Sequence, residues 1–130
     1  MIIGIGTDII DTRRIKKIIK KYGEKFKKRC FSINEIKRSE NRLNVVNSYA
    51  KRYAAKEACS KALGTGLSRG VFWKDIEVVN NRYGKPSINL HNNALNRIKE
   101  MTNKEVFNQL DEFIETAKDY YINNVLDIVM

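Results

Sequence analysis

Apolar residues recur at three- and four-residue spacing through the first half of the chain and at closer spacing near residue 80. That change of period separates a helical half from a strand-forming stretch. Residues 2–6 are apolar, punctuated by Gly4 and Gly6, and predict a strand ending near Asp8. Asp11 or Thr12 can cap a helix whose buried stripe is Ile15, Ile18, Ile19 and Tyr22, with Gly23 as its stop. Phe26 and Phe31 anchor a short second helix. Ser32 followed by Glu35 forms a capping box that opens a third helix over about 33–42. The longest helix spans 45–63, opened by Asn47 or Ser48 and closed by Gly64. Ala50, Ala54, Ala58 and Ala62 recur every four residues along it, so one face is small enough for close approach. Residues 75–80, 81–84 and 86–90 then read as strand, turn and strand, 92–101 as a short helix, and 106–114 and 121–129 as closing strands. Helices first and an antiparallel sheet later predict an α+β fold in a single domain, 1–130.

Composition narrows the class of protein. At 130 residues, with 42% hydrophobic and 31% charged positions, the chain can bury roughly two thirds of its unfolded surface without a disulfide or structural metal. No apolar run is long enough to cross a bilayer, and Met1–Ile10 lacks the basic start of a signal peptide, so the expected location is cytoplasmic. Cys30 and Cys59 fit no metal spacing and read as reduced, buried residues. His91 is the single histidine, too few for a histidine-built zinc site, and a surface or capping role suits it.

The net charge of +10 is uneven. Residues 13–29 hold ten Lys/Arg against one acid, whereas residues 62–130 are nearly balanced. The basic residues of 13–21 fall on the face opposite the isoleucine stripe. They form either a solvated helix face or a surface for an acidic partner or phosphate ligand. A nucleic-acid-binding module would use the charge, but the chain carries no recognisable nucleic-acid motif.

The stretch Tyr53–Gly66, YAAKEACSKALGTG, carries the candidate chemistry. Glu57 and Lys61 are four apart on one helix face, which a plain surface ion pair would also explain. Gly64 and Gly66 follow at once, and glycines there allow positive φ or close approach of backbone amides to a ligand. A carboxylate, an ammonium and a flexible loop suit a metal-bound diphosphate, with Glu57 on Mg²⁺ and Lys61 on phosphate oxygens. Asp8, at the end of the first segment, is the candidate second carboxylate. The lysine precedes the glycines, so this is not a Walker A loop.

These motifs resemble those of the holo-(acyl-carrier-protein) synthases, a 4′-phosphopantetheinyl transferase family. GIGTDII followed by Arg14 matches their opening signature, and RYAAKEACSKALGTG their second. The match continues through Gly70, Trp73, residues 75–78 and Gly84-Lys85-Pro86. The resemblance implies N-terminal helices packed on a small antiparallel sheet. It also implies transfer of 4′-phosphopantetheine from coenzyme A to a serine of apo-acyl carrier protein, with release of adenosine 3′,5′-bisphosphate, in support of fatty acid biosynthesis. By motif position, Asp8 and Glu57 would hold Mg²⁺ and Lys61 would neutralise the diphosphate. Gly64, Thr65 and Gly66 would lie against coenzyme A, and Lys85 and Pro86 near its nucleotide end. Arg14, with Arg13, Lys17, Lys20 and Lys21 from the exposed face, would dock the acidic carrier. The resemblance further implies a homotrimer with coenzyme A between subunits, and neither nucleic acid nor membrane as partner. The proton acceptor stays open between Glu57, a metal-bound water and Glu35. Near the C-terminus, Phe113-Ile114-Glu115-Thr116 replaces a histidine-containing family motif, and Asn123, Asn124 and Asp127 replace apolar residues, which implies an altered nucleotide pocket.

Overall fold

In the computed structural model, residues 2–108 are described. The order is α1 (Thr12–Tyr22), α2 (Glu24–Cys30), α3 (Ile33–Glu40), α4 (Val45–Ala62), a 3₁₀ turn (Trp73–Asp75), β1 (Ile76–Asn80), β2 (Pro86–Leu90) and α5 (Asn92–Asn108). The strands pair antiparallel from Ile76↔Leu90 to Asn80↔Pro86. This is the α+β arrangement of helices on a small antiparallel sheet that the residue pattern predicts.

Local sequence accounts for the helix ends. The Asp11 carboxylate accepts the Arg13 N–H at 2.9 Å and so caps α1. Gly23, at φ 55°, closes α1 and opens α2. Ser32 and Glu35 form the expected reciprocal box on α3. The start of α4 differs from expectation: its cap is Asn44, whose side chain accepts the Asn47 N–H at 3.0 Å. Asn47 therefore supplies the donor rather than the cap.

Helix α4 joins two apolar clusters. One gathers Ile15, Cys30, Phe31, Tyr49, Ala50 and Tyr53 from α1, α2 and α4. The other gathers Cys59, Ala62, Leu63, the inward residues of the hairpin, and Ala94 and Ile98 of α5. A helix buried on several sides shows little amphipathic pattern, which is why its alanine repeat was the stronger sequence signal. Both cysteines are free and buried, and burial raises their pKa, Cys30 to about 11 and Cys59 to about 12.

Three sequence expectations need correction. Residues 2–6 lie in no strand, having no ladder partner among the described residues. Tyr22 is 52% exposed, so the buried stripe of α1 ends one turn earlier. The expected strand at 106–114 begins inside α5, which runs to Asn108 rather than Met101; its remainder and 121–129 lie outside the described residues. Among the described residues, no helix is long and apolar enough to cross a membrane.

Candidate active site

The N-terminal segment reaches the site through two glycines. A Cβ at Gly4 would stand 2.4 Å from the Ala62 carbonyl oxygen, and one at Gly6 only 1.9 Å from that of Ala58. Neither position admits a side chain, so the segment lies backbone to backbone on the small face of α4. That contact carries Asp8 to the last turns of α4. There Lys61 Nζ donates to Asp8 Oδ1 at 2.9 Å and to the Thr7 carbonyl at 3.1 Å. Asp11 already caps α1, which leaves Asp8 to this role.

Glu57 stands beside Asp8. Its pKa is raised, first by burial and then by the neighbouring Asp8 carboxylate. The Tyr53 hydroxyl, one turn earlier, and the Arg14 charge oppose that shift. Asp8 Oδ2 is buried and has no hydrogen-bond partner among the described residues. Two adjoining carboxylates with an orphaned oxygen are a donor set suited to a hard divalent cation. No group of three or more His, Cys, Asp or Glu side chains stands together among the described residues. The cation would therefore take its remaining ligands from water and substrate phosphate, as Mg²⁺ commonly does.

The loop after α4 has the backbone expected of its glycines, with Gly64 at φ 74° and Gly66 at φ 61°. The Thr65 hydroxyl donates to the Gly66 carbonyl at 2.8 Å. Arg97 of α5 steadies the helix end by donating to the Leu63 carbonyl at 2.7 Å. A cleft of about 1160 Å³ runs from Asp8 to the hairpin. Arg38 of α3, Arg42 of the α3–α4 connection, and Lys51 and Arg52 of α4 line it, with Gly84 and Pro86 at the hairpin end. The structure thus places Pro86 and Asp8 on one cleft. Lys61 and Glu57 meet Asp8 at its edge, the 64–66 loop lies further along α4, and Lys85 sits in the exposed turn without lining the cleft.

The basic face of α1 divides. Arg13 is tied to its own cap, with Nη2 2.8 Å from Asp11 Oδ2. Arg14, Lys17, Lys20 and Lys21 project outward, and Arg14 lies near enough to Glu57 to act on its charge.

The residues inside the fold that sequence reasoning missed are the buried cations. Lys56 is fully buried; its ammonium donates to Glu35 Oε1 at 2.7 Å, to the Trp73 carbonyl at 3.1 Å and to the Ile76 carbonyl. Glu35 also accepts the Ser32 N–H at 3.0 Å and the Val78 N–H at 3.2 Å. Glu35 is therefore excluded as the proton acceptor, because its carboxylate is consumed in locking α3, α4 and β1 together. Arg52 is likewise buried and donates to the Val78 carbonyl and Asn80 Oδ1. Lysine and arginine are seldom fully buried, and nothing local marks these two as inward-facing. His91 Nε2 lies 3.2 Å from Glu77 Oε1.

The fold is a helical shell on a two-stranded hairpin, with two adjoining carboxylates and a glycine loop near the end of α4. The model of the 4′-phosphopantetheinyl transferase superfamily matches residues 4–122, and the chain belongs to that family. Holo-[acyl-carrier-protein] synthase of Rhizobium meliloti (strain 1021) is 59% identical over 101 residues, covering 78% of this chain and 73% of the relative. The corresponding protein of Parvibaculum lavamentivorans is 59% identical over 102 residues, covering 78% and 77%. Among solved structures, holo-[acyl-carrier-protein] synthase from Neisseria meningitidis superposes with a TM-score of 0.68 at 39% identity, covering 77% of this chain and 79% of that one. The Helicobacter pylori synthase in complex with coenzyme A gives 0.64 at 34% identity, covering 71% and 77%.

Proposed function

We propose that this chain transfers 4′-phosphopantetheine from coenzyme A to a serine hydroxyl of apo-acyl carrier protein, releasing adenosine 3′,5′-bisphosphate. The observation that supports the site assignment most strongly is the convergence of Asp8, with its orphaned buried oxygen, on Glu57 and Lys61. The reaction serves fatty acid biosynthesis, where the carrier needs its prosthetic thiol.

Asp8 and Glu57 would hold Mg²⁺, which when bound would supply charge neutralisation at the diphosphate. The protein needs no nucleophile of its own, since the carrier serine attacks the phosphorus. The bond from phosphorus to the bisphosphate oxygen breaks, and Lys61 offsets the charge that gathers there. With Glu35 locked in the core, the serine proton is left to Glu57 or to a metal-bound water. The glycine loop lets the backbone approach the substrate without a Cβ in the way, while the Gly64 and Gly66 N–H groups hold the loop to the Lys61 and Ser60 carbonyls, each at 3.0 Å. Pro86 bounds the nucleotide end of the cleft, with Lys85 beside it in the exposed turn, and Arg38, Arg42 and Lys51 line the cleft as cations for the ligand's phosphates.

Arg14, Lys17, Lys20 and Lys21 present a positive face beside the site, suited to an acidic carrier. Opposite fields raise the encounter rate and set register more than they deepen affinity. A nucleic-acid reading of this face leaves Asp8 and Glu57 without a role. The active assembly is a homotrimer with coenzyme A between subunits. Exposed Ile2, Ile5 and Ile9, at 61%, 66% and 95%, are apolar surface that such an assembly would cover. The test is to incubate the protein with coenzyme A, Mg²⁺ and apo-acyl carrier protein and weigh the carrier by mass spectrometry. Gain of phosphopantetheine on the serine is expected, and an unchanged carrier mass refutes the assignment.

A further inference from the structure

Lys61 has two stations within reach. In this structure its ammonium sits on Asp8 Oδ1 and the Thr7 carbonyl oxygen, at 2.9 and 3.1 Å. It therefore faces the carboxylate proposed above as a ligand of the divalent cation. The two ends of that pair differ in freedom. The Asp8 side chain is 11% exposed and held by the glycine contact with α4, whereas the Lys61 side chain is 55% exposed on a flexible four-carbon stem. The lysine is the member that can leave. What it leaves behind is a partly buried pair of carboxylates, Asp8 and Glu57, whose mutual repulsion needs a positive charge close by.

We propose that Lys61 is an exchangeable internal counterion: it occupies Asp8 until a divalent cation arrives together with a diphosphate, then moves to the phosphate oxygens. This rests on the reading of Asp8 and Glu57 as the metal ligands. A bare divalent cation approaching Asp8 meets a like charge already seated there. A cation carried on a diphosphate brings the anion that draws the ammonium away, so the repulsion becomes an attraction. The site is thereby selective for the metal–diphosphate complex over free metal, and it is kept from collecting stray cations between turnovers.

The probe is Mn²⁺ alone, titrated into the full-length chain and followed by electron paramagnetic resonance. Lys61→Met and Lys61→Gln are compared with wild type, and circular dichroism verifies that each is folded. Without coenzyme A, both variants are expected to bind Mn²⁺ at least about ten-fold more tightly than wild type, because about 1.4 kcal/mol of like-charge repulsion is enough for that factor. With coenzyme A present the order reverses, and the variants bind Mn²⁺ more weakly than wild type. Equal or weaker binding of Mn²⁺ alone by both variants overturns the inference. Adding Asp8→Asn to Lys61→Met separates this from the underlying reading. If the double variant keeps the tight Mn²⁺ site, the cation is held elsewhere and the metal assignment falls with the inference. If it loses the site, the metal assignment stands, and tighter Mn²⁺ binding by the single Lys61 variants then upholds the inference.

Discussion

Replacing Gly6 with alanine would test whether the approach of the N-terminal segment to α4 builds the site. The new methyl would start 1.9 Å from the Ala58 carbonyl oxygen, 2.8 Å from the Ala62 nitrogen and 3.0 Å from the Ala58 carbonyl carbon. All three are backbone atoms of a helix packed between two apolar clusters, so they cannot rotate aside. Restoring ordinary van der Waals contact requires the segment to withdraw by about 1.5 Å. Asp8 lies two residues on and would move with it, breaking the 2.9 Å contact with Lys61 and opening the space between Asp8 and Glu57. Misplacement of a reacting group by about 1 Å can cost about 100-fold in rate. We therefore expect kcat to fall by about 100-fold or more, with a higher Mg²⁺ requirement. Loss of stability should stay within about 1–3 kcal/mol, the usual cost of overpacking. The assay is the initial rate of carrier modification by mass spectrometry, beside chemical denaturation of the same preparation. Thr7→Ala, an exposed side-chain change in the same segment, is the control and should stay near wild type. Wild-type turnover in Gly6→Ala would refute the idea that this contact positions Asp8.

Three further outcomes follow from the geometry. Lys56→Met strands the fully buried Glu35 carboxylate and should cost about 3–5 kcal/mol of stability by urea denaturation. Burial works to raise the Glu77 pKa, yet hydrogen bonds from Ser32 at 2.5 Å and His91 at 3.2 Å win, and the net shift is downward. A depressed carboxylate stabilises the fold above its unfolded pKa and loses that contribution as pH falls through the folded value. Glu77→Gln should therefore be less stable than wild type at pH 7, and the gap should close below about pH 4 in denaturation curves taken across pH. Reversing Arg14 and Lys17 to glutamate should raise KM for the carrier well beyond KM for coenzyme A in steady-state kinetics, and the effect should shrink with added salt.

Much of the site was readable because its chemistry is local. Glu57, Lys61 and the glycines at 64 and 66 lie within ten residues, and helical spacing alone sets their relation. The alanine repeat also announced a face open to close approach, and Gly4 and Gly6 occupy it. The buried Lys56–Glu35 pair was not legible, because a lysine turns inward only when separate elements supply acceptors. Here those come from α3, the 3₁₀ turn and β1, up to 21 residues away in sequence. The strand expected at 2–6 failed for a related reason. Apolar alternation cannot distinguish a segment paired in a ladder from one laid against a helix, and the glycines favoured the helix. The capping of α4 shifted to Asn44 because both Asn44 and Asn47 suit the role, and only the backbone turn decides between them.

The central claim is that Asp8 and Glu57 share one divalent cation. Its most direct test is a Mn²⁺ titration in the presence of coenzyme A, followed by electron paramagnetic resonance, on wild type, Asp8→Asn and Glu57→Gln. The account predicts one site per chain in wild type and loss of that site in each variant. A site of unchanged affinity in either variant would contradict it.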